Sequence, residues 1–316
     1  MKNKKHLIVT LIVLIVVASC FLGLSLLSKD DDVEETIKET YNISVTAPAG
    51  APALTLAGPL ADDQFNFDYE IVDGAEPLSA EFMANEKDLI IAPINLGLKL
   101  IEKGAKYKLI SVLTWGNLKI VGDKNNYGTI AAFGEGAVPG IVLESVHNLL
   151  GNDQQIDYFS SVQEASSMFL NGDYHAVMLA EPVLTKVKKN YADTHDGAEL
   201  YELFDIQELY DQKTGCESFP QAALFVKDET MENEVDKIVN FCSDMKSSIE
   251  AFNADPKDII TLNVDFEKLG FSNPEMLASI YPNMAINYVY AQECTNSINT
   301  FLNLFNTSLA DDSFVK

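Results

Sequence analysis

Short apolar segments that end at glycine- and proline-rich loops, each followed by a helical pattern, recur along the sequence and constrain its fold most. The first begins with Tyr41-Asn42-Ile43-Ser44-Val45 and stops at Ala47-Pro48-Ala49-Gly50-Ala51-Pro52. A second begins with Thr129-Ile130-Ala131-Ala132-Phe133, and a Gly/Pro loop and a helical pattern over residues 141–150 follow it. This alternation predicts parallel sheets with helices on both faces, and therefore an α/β protein.

The remaining pattern predicts two lobes. Further strands are expected at Phe65–Val72, 88–93 and 176–180, and a β-rich stretch over 107–121 precedes a polar boundary. A return strand is expected at 222–226, followed only by helices at 232–252, 256–269 and 291–309. About 275 residues follow the N-terminal segments, which is more than one compact core usually holds.

The N-terminus has the features of a secretion signal. Lys2, Lys4 and Lys5 precede an uncharged apolar run over residues 7–27. Val17-Ala18-Ser19-Cys20 resembles a bacterial lipobox, which would make Cys20 the lipidated N-terminus. The run is 21 residues long, close to the roughly 20 that span a bilayer, so an uncleaved anchor and ordinary signal-peptidase cleavage stay open. The lipidated and the uncleaved forms both place residues 30–316 outside the cytoplasm.

The charge balance limits the partners and ligands of the exported chain. Without the first 19 residues, 19 Lys face 47 acidic residues, a net charge of −28 that argues against nucleic-acid binding. Every basic residue is Lys, so the planar fork with which Arg grips carboxylates, sulfonates or phosphates is absent. An anionic ligand would need Lys, side-chain amides or helix N-termini.

Cysteine and histidine usage predicts neither a disulfide scaffold nor a metal site. Cys216, Cys242 and Cys294 follow Cys20, and three cysteines allow at most one internal disulfide; buried thiols are the preferred interpretation. His147 and His175 have no partner at metal-ligand spacing. We therefore expect no metal and no cofactor.

The order of the motifs resembles the solute-binding proteins of ABC importers, in the class of nitrate, sulfonate, taurine and thiamine-precursor binders. The motifs are Ala47-Pro48-Ala49-Gly50-Ala51-Pro52, Ile91-Ala92-Pro93-Ile94-Asn95, Leu113-Thr114-Trp115-Gly116-Asn117, Gly134-Glu135-Gly136-Ala137-Val138-Pro139, Ala180-Glu181-Pro182-Val183 and Phe219-Pro220-Gln221-Ala222-Ala223. The resemblance implies the two-lobed type II periplasmic-binding fold with parallel-rich sheets, flanking helices and a two-strand hinge.

The same resemblance implies a domain plan and partners. Residues 1–27 would be the signal or anchor, 28–40 an acidic linker, 41–121 and 223–316 lobe I, and 122–222 lobe II. Such a protein is expected to be a monomer on the outer face of the cell membrane. It would capture one small molecule between its lobes and deliver it to a permease with an ATPase partner.

The expected ligand-binding residues lie on loops that follow strands: Pro48, Ala49, Gly50, Ala51, Asn95, Trp115, Gly134, Gly136, Ala137 and Glu181. Gly50 and Gly136 would let backbone amides at helix N-termini approach a ligand, although tight turns alone also require such glycines.

Three side chains on these loops have two interpretations each. Asn95 could contact the ligand or cap a helix. Trp115 could stack on a flat ligand or pack in the core or hinge. Glu181 could accept from a ligand amine or be an exposed turn carboxylate.

The missing Arg and the presence of Glu181 favour a neutral or amine-bearing heterocycle, such as a pyrimidine-like precursor, over a sulfonate. An enzyme on the same fold is the rival class, with Cys216 as nucleophile, but Cys216-Glu217-Ser218 offers no adjacent base. A ligand sensor or adhesin without a transporter is a third possibility.

Overall fold

Two β-sheets organise the chain, and helices connect most of their strands. The computed structural model describes residues 40–124, 128–151 and 154–315. In chain order the elements are β1 Tyr41–Pro48, α1 Ala51–Leu54, α2 Ala57–Ala61, β2 Phe65–Val72, α3 Ala75–Ala84, β3 Leu89–Pro93, α4 Ile94–Glu102, β4 Tyr107–Trp115, β5 Lys119–Gly122, β6 Ile130–Phe133, α5 Val138–Leu150, β7 Ile156–Phe159, α6 Val162–Leu170, β8 Ala176–Leu179, α7 Val183–Thr194, β9 Tyr201–Asp205, α8 Ile206–Thr214, β10 Pro220–Lys227, α9 Asp228–Asn233, α10 Val235–Ala254, α11 Leu277–Ile280, β11 Ile286–Tyr290 and α12 Thr295–Leu302.

The first sheet has six strands in the order β11-β4-β10-β3-β1-β2. Strand β1 pairs in parallel with β2 and β3, whereas β10 lies antiparallel between β3 and β4. Alternation along β1 sends Ile43, Val45 and Ala47 to one apolar cluster. Strand β10 is buried continuously from Ala222 to Val226, as expected of a central strand covered on both faces.

The second sheet has five strands in the order β7-β6-β8-β5-β9. Strand β6 pairs in parallel with β7 and β8, while β5 runs antiparallel to both β8 and β9. The chain passes from the first sheet to the second between Trp115 and Lys119 and returns between Thr214 and Pro220. The lobe limits expected at 121–122 and 222–223 stay a prediction, and β5 pairs within the second sheet.

One apolar cluster contains residues of both sheets. It includes Val112 and Phe225 from the first sheet and Ile120, Ala132 and Met178 from the second, each essentially inaccessible to solvent. The two sheets therefore share part of their core, and the burial of these side chains stabilises both.

The sequence-based reading of the C-terminal part is wrong in three places. The helical part of residues 256–269 is the 3-10 segment Pro256–Thr261, and the residues after it form turns and irregular backbone rather than an α-helix. The helix expected over 291–309 is limited to α12, with 3-10 turns on both sides. Strand β11 follows the return strand, where only helices were expected.

The N-terminal features lie outside the described residues. These are the apolar run 7–27, Cys20 and nearly all of the linker 28–40. No helix in the described ranges has both the length and the apolar character that a membrane crossing requires. Cys216, Cys242 and Cys294 are buried free thiols, as the sequence predicts.

Candidate ligand-binding cleft

The carboxyl ends of the parallel strands in the two sheets lie close together. Strand β4 ends at Trp115, opposite Pro220 of β10, and β5 starts at Lys119, opposite Leu179 at the end of β8. Only residues 116–118 separate Trp115 from Lys119, so these two residues are at most about 14 Å apart. Ligands of open α/β folds bind at such carboxyl edges, which makes the space between them the candidate cleft.

The two connections between the sheets are bonded to each other and to helix α8. The amide of Gly116 donates to the carbonyl of Phe219 at 2.9 Å, which links the outgoing and returning connections. The amide of Ile206, the first residue of α8, donates to the carbonyl of Leu118 at 3.1 Å. The hinge therefore consists of two paired segments rather than two separate linkers.

The first loop of the cleft follows β1. Pro48 ends the strand, Ala49 is exposed, and Gly50 has a φ of +92°, which favours glycine. The amide of Gly50 donates to the carbonyl of Leu269 at 2.9 Å, and Pro52, the second helical residue, has no N–H. Ala51 begins α1, a helix of four residues. This helix start consequently offers few free N–H groups.

Asn95 is the second residue of α4, two positions after Pro93, which ends β3. Pro93 occupies the N-cap position, so Asn95 is not the cap of this helix. Its Oδ1 is buried and has no hydrogen-bond partner in the described structure. An unpaired buried amide oxygen is unfavourable, and a ligand or ordered water that donates a hydrogen bond would satisfy it.

The corresponding loop of the second sheet closes on itself. Gly134 and Gly136 have φ values of +77° and +70°. The carbonyl of Gly134 accepts from the amides of Ala137 at 2.9 Å and Gly140 at 3.0 Å. Ala137 is the N-cap of α5, and Pro139 in the first turn lacks an N–H. The amide donors of this helix start are thus largely used or missing.

Glu181 follows β8 and turns back on the helix that starts after it. Its Oε2 accepts from the amide of Thr185 at 3.1 Å and its Oε1 from the Thr185 hydroxyl at 2.8 Å. The side chain is half-buried. The carboxylate therefore stabilises the first turn of α7, and each oxygen retains further acceptor capacity.

Trp115 points away from the β1 loop. Its Nε1 donates to the carbonyl of Asn287 in β11 at 3.0 Å. Strand β11 lies beyond β4 at one side of the sheet, whereas β1 is three strands from β4 in the opposite direction. At about 4.8 Å per strand, β1 is roughly 14 Å from β4. The structure therefore separates Trp115 from the other candidate residues of the first lobe.

The cleft edge contains a lysine whose charge is already paired. Lys119 donates to Glu202 at 2.8 Å and to Asp205 at 3.0 Å. Burial acts to lower the pKa of Lys119, but hydrogen bonds and charge attraction from the two carboxylates outweigh it and raise the pKa. The strand-end loops 48–52, 93–95, 134–139 and 180–182 contain two glutamates, Glu135 and Glu181, and no lysine.

One strand-end loop, the one that follows β7, was not predicted from the sequence as part of the candidate site. Ser161 follows β7 and caps α6, where its hydroxyl accepts from the amide of Glu164 at 3.1 Å, and the Glu164 carboxylate bonds Ser160. These hydrogen bonds hold the pKa of Glu164 below its usual value against a small effect of burial. The Ser-x-x-Glu spacing is the signal that could have identified this loop.

Comparison with known proteins is informative at the level of structure. No protein-family model and no curated protein matches the sequence. An ABC transporter protein of Parabacteroides distasonis has a TM-score of 0.72 at 22% identity, over 87% of this chain and 98% of that one. The zinc-bound ligand-binding component of an ABC-type import system from Staphylococcus aureus has a TM-score of 0.61 at 14% identity, over 88% and 97%. The periplasmic aliphatic sulphonate binding protein of Escherichia coli has a TM-score of 0.60 at 13% identity, over 87% and 96%.

These similarities establish the fold of the chain. It is the two-lobed α/β fold of periplasmic binding proteins, with two sheets, flanking helices and paired connections between the sheets. The fold predicted from the motifs is confirmed.

Proposed function

We propose that this protein is the extracytoplasmic solute-binding component of an ABC importer, which captures one small molecule between its lobes and delivers it to a permease. The observation that carries the proposal is that the carboxyl edges of the two sheets meet at a paired hinge, where Trp115 and Lys119 are at most about 14 Å apart. Concave sites between lobes are the usual places where small molecules bind. Two proteins of similar fold named above support the proposal, since one is described as the ligand-binding component of an ABC-type import system and the other as a periplasmic sulphonate binding protein.

A binding role is better supported than an enzymatic one. Cys216, the candidate nucleophile, is 5% exposed, and the described polar contact of its sulfur is with the Asn296 amide at 3.6 Å. An amide is not a base and does not generate a thiolate. Cys216 is also part of the connection that returns to the first sheet, where packing accounts for it.

We propose a neutral or amine-bearing heterocycle as the ligand, such as a pyrimidine-like precursor. The candidate loops present two glutamates without lysine, and both helix starts have lost amide donors to proline or to internal hydrogen bonds. The free Oδ1 of Asn95 favours a ligand with an N–H or O–H group. A sulfonate is the second candidate, because a sulphonate binding protein has a similar fold.

Thermal unfolding in the presence of matched ligands tests both candidates. The panel contains 4-amino-5-hydroxymethyl-2-methylpyrimidine, its analogue without the exocyclic amine, taurine and ethanesulfonate. A cognate ligand at 100 times its dissociation constant should stabilise the protein by about 2.7 kcal/mol. Stabilisation by the sulfonates alone would contradict the ligand class. No stabilisation across a broad panel would contradict the binding function and favour a sensor or adhesin.

Glu181→Gln separates ligand recognition from helix capping. The amide oxygen can still accept from Thr185, so the variant should fold, but it loses the negative charge next to a ligand amine. We expect about tenfold weaker binding of the amine-bearing pyrimidine and little change for its deaminated analogue. Glu199→Gln, at an exposed position, is the matched control. Equal effects of the two substitutions would exclude a role of Glu181 in binding.

We further propose that Cys20 is lipidated and tethers the protein to the outer face of the membrane. We propose that the protein is a monomer and does not bind nucleic acid. The mass of the N-terminal peptide from membrane-associated protein distinguishes the alternatives. A diacylglyceryl modification on Cys20, absent in Cys20→Ala, is the expected result. Retention of residues 1–19 would instead identify an uncleaved anchor.

A further inference from the structure

A cavity lies at the hinge, separate from the loop that follows β1. Its volume is about 550 Å³, within the range of sites that hold small organic molecules. Trp115 at the end of β4 and residues 215–218 of the returning connection line it, and residues at β11 and α12 complete it. Strand β1 is roughly 14 Å from β4, and no residue of the Pro48–Ala51 loop belongs to the lining of this cavity.

The wall formed by Trp115 is fixed in place. The bond from its Nε1 to the Asn287 carbonyl satisfies the only polar group of the indole and orients the ring. Val289 of β11 adds apolar surface to the same cavity. A rigid aromatic ring beside an aliphatic side chain suits a flat, partly apolar molecule.

The polar groups of the cavity favour a hydrogen-bonding and positively charged ligand. Ser218, Asn296 and Ser297 provide hydroxyl and amide groups. Of the described residues that line the cavity, Glu217 is the one that carries charge, and it is exposed. The strongly acidic chain adds a general preference for cations. Trp115 belongs to the same lining, and an aromatic ring attracts a nearby cation.

We infer that this hinge cavity is a second binding site, for a small flat molecule that carries a positive charge, such as an aromatic amidine or amine. The inference rests on the cavity and its lining and is independent of the ligand that binds between the lobes. Since residues 215–218 belong to the returning connection and Trp115 directly precedes the outgoing one, an occupant contacts the hinge between the sheets.

Trp115 is the only tryptophan of the chain and lines this cavity, so its fluorescence responds to changes in the surroundings of this residue. The full-length protein in detergent is excited at 295 nm and titrated with benzamidine, with its neutral isostere benzamide and with benzoate. We expect a saturable change with benzamidine, about fivefold weaker binding of benzamide and still weaker binding of benzoate. No saturable change, or equal binding of benzoate and benzamidine, would overturn the inference.

Two variants control this titration. Ser297→Phe places a ring in the cavity and should abolish the response to benzamidine; if this variant does not fold, Ser297→Leu is the smaller replacement. Glu217→Gln, at an exposed position, should make benzamidine bind like benzamide. A response that persists in the filled variant, or a preference for the cation that survives Glu217→Gln, would contradict the site.

Cys216 provides a second, chemical readout, because its thiol belongs to the lining whereas Cys242 and Cys294 do not. The labelling rates of Cys216 by 2-aminoethyl and 2-sulfonatoethyl methanethiosulfonate are measured by peptide mass spectrometry and divided by the rates for free cysteine. We expect the cationic reagent to be favoured about fivefold and benzamidine to slow it. Equal normalised rates, or no protection by benzamidine, would refute the assignment.

Discussion

The carboxylate of Asp244 destabilises the folded protein, so replacing Asp244 should raise the free energy of unfolding. It lies on α10, half-buried, and its Oδ2 is inaccessible without a hydrogen-bond partner in the described structure. Burial, with a smaller effect of the negative charge of Asp62, raises the pKa of Asp244 from 3.8 to about 6. Asp244→Asn removes the charge and keeps the shape of the side chain.

The size and the pH dependence of this effect follow from the two pKa values. The folded state binds the proton more tightly than the unfolded state, so Asp244 destabilises the folded protein least below pH 3.8. The destabilisation grows between pH 3.8 and about 6 and is constant above that range. Converted to free energy, the difference between the two pKa values corresponds to a destabilisation of about 3 kcal/mol at neutral pH. Solvent screening of a half-buried group reduces this destabilisation to about 1 kcal/mol.

Urea denaturation followed by circular dichroism measures this gain. Asp244→Asn should raise the free energy of unfolding by about 1 kcal/mol at pH 7.5, equivalent to about 2–4 °C in melting temperature, and by little at pH 3.5. Glu250→Gln on the same helix, at an exposed position, changes the net charge equally and controls for general repulsion. A gain that is the same at both pH values, or that Glu250→Gln reproduces, would refute the reasoning.

Three further substitutions should destabilise the protein, each for a different reason. Asp88→Asn replaces a carboxylate that accepts hydrogen bonds from backbone and hydroxyl groups and from the buried Lys237 at 3.3 Å. These contacts outweigh burial and lower its pKa, so we expect a loss of about 2 kcal/mol at pH 7 that shrinks as the pH falls below 3.8 in denaturation curves. Gly97→Ala would place a Cβ inside the Phe225 ring, and calorimetry should show a loss of about 1–3 kcal/mol; an unchanged melting temperature would contradict the packing. Ser161→Ala removes the cap of α6 and should cost about 1 kcal/mol, with Ser161→Thr as the retained-cap control.

The alternation of strands and helices could be predicted because single residues mark where each strand ends and each loop begins. Gly50 and Gly136 adopt positive φ values that a side chain would strain, so the loops they mark are encoded by single residues. Proline at Pro93 similarly marks the end of β3. These signals gave the order of the elements and the fold class.

The features that depend on distant parts of the chain could not be predicted in this way. Strand β11 has five residues and becomes recognisable only through its pairing with β4. The orientation of Trp115 depends on a hydrogen bond to Asn287, 172 residues away in sequence. The hydrogen bond from the Gly50 amide to the Leu269 carbonyl likewise involves a distant segment, which the sequence predicted to be helical.

The position of β10 has a consequence for the order in which the protein can fold. Strands β3 and β4 follow each other in sequence, yet neither pairs with the other, because β10 lies between them. The first sheet therefore stays in two parts until a chain of more than 200 residues has been made and the segment from Pro220 has inserted. Such non-local closure slows folding. A chain shortened before Pro220 would expose two facing, apolar strand edges, and we expect it to aggregate rather than form a stable half of the protein.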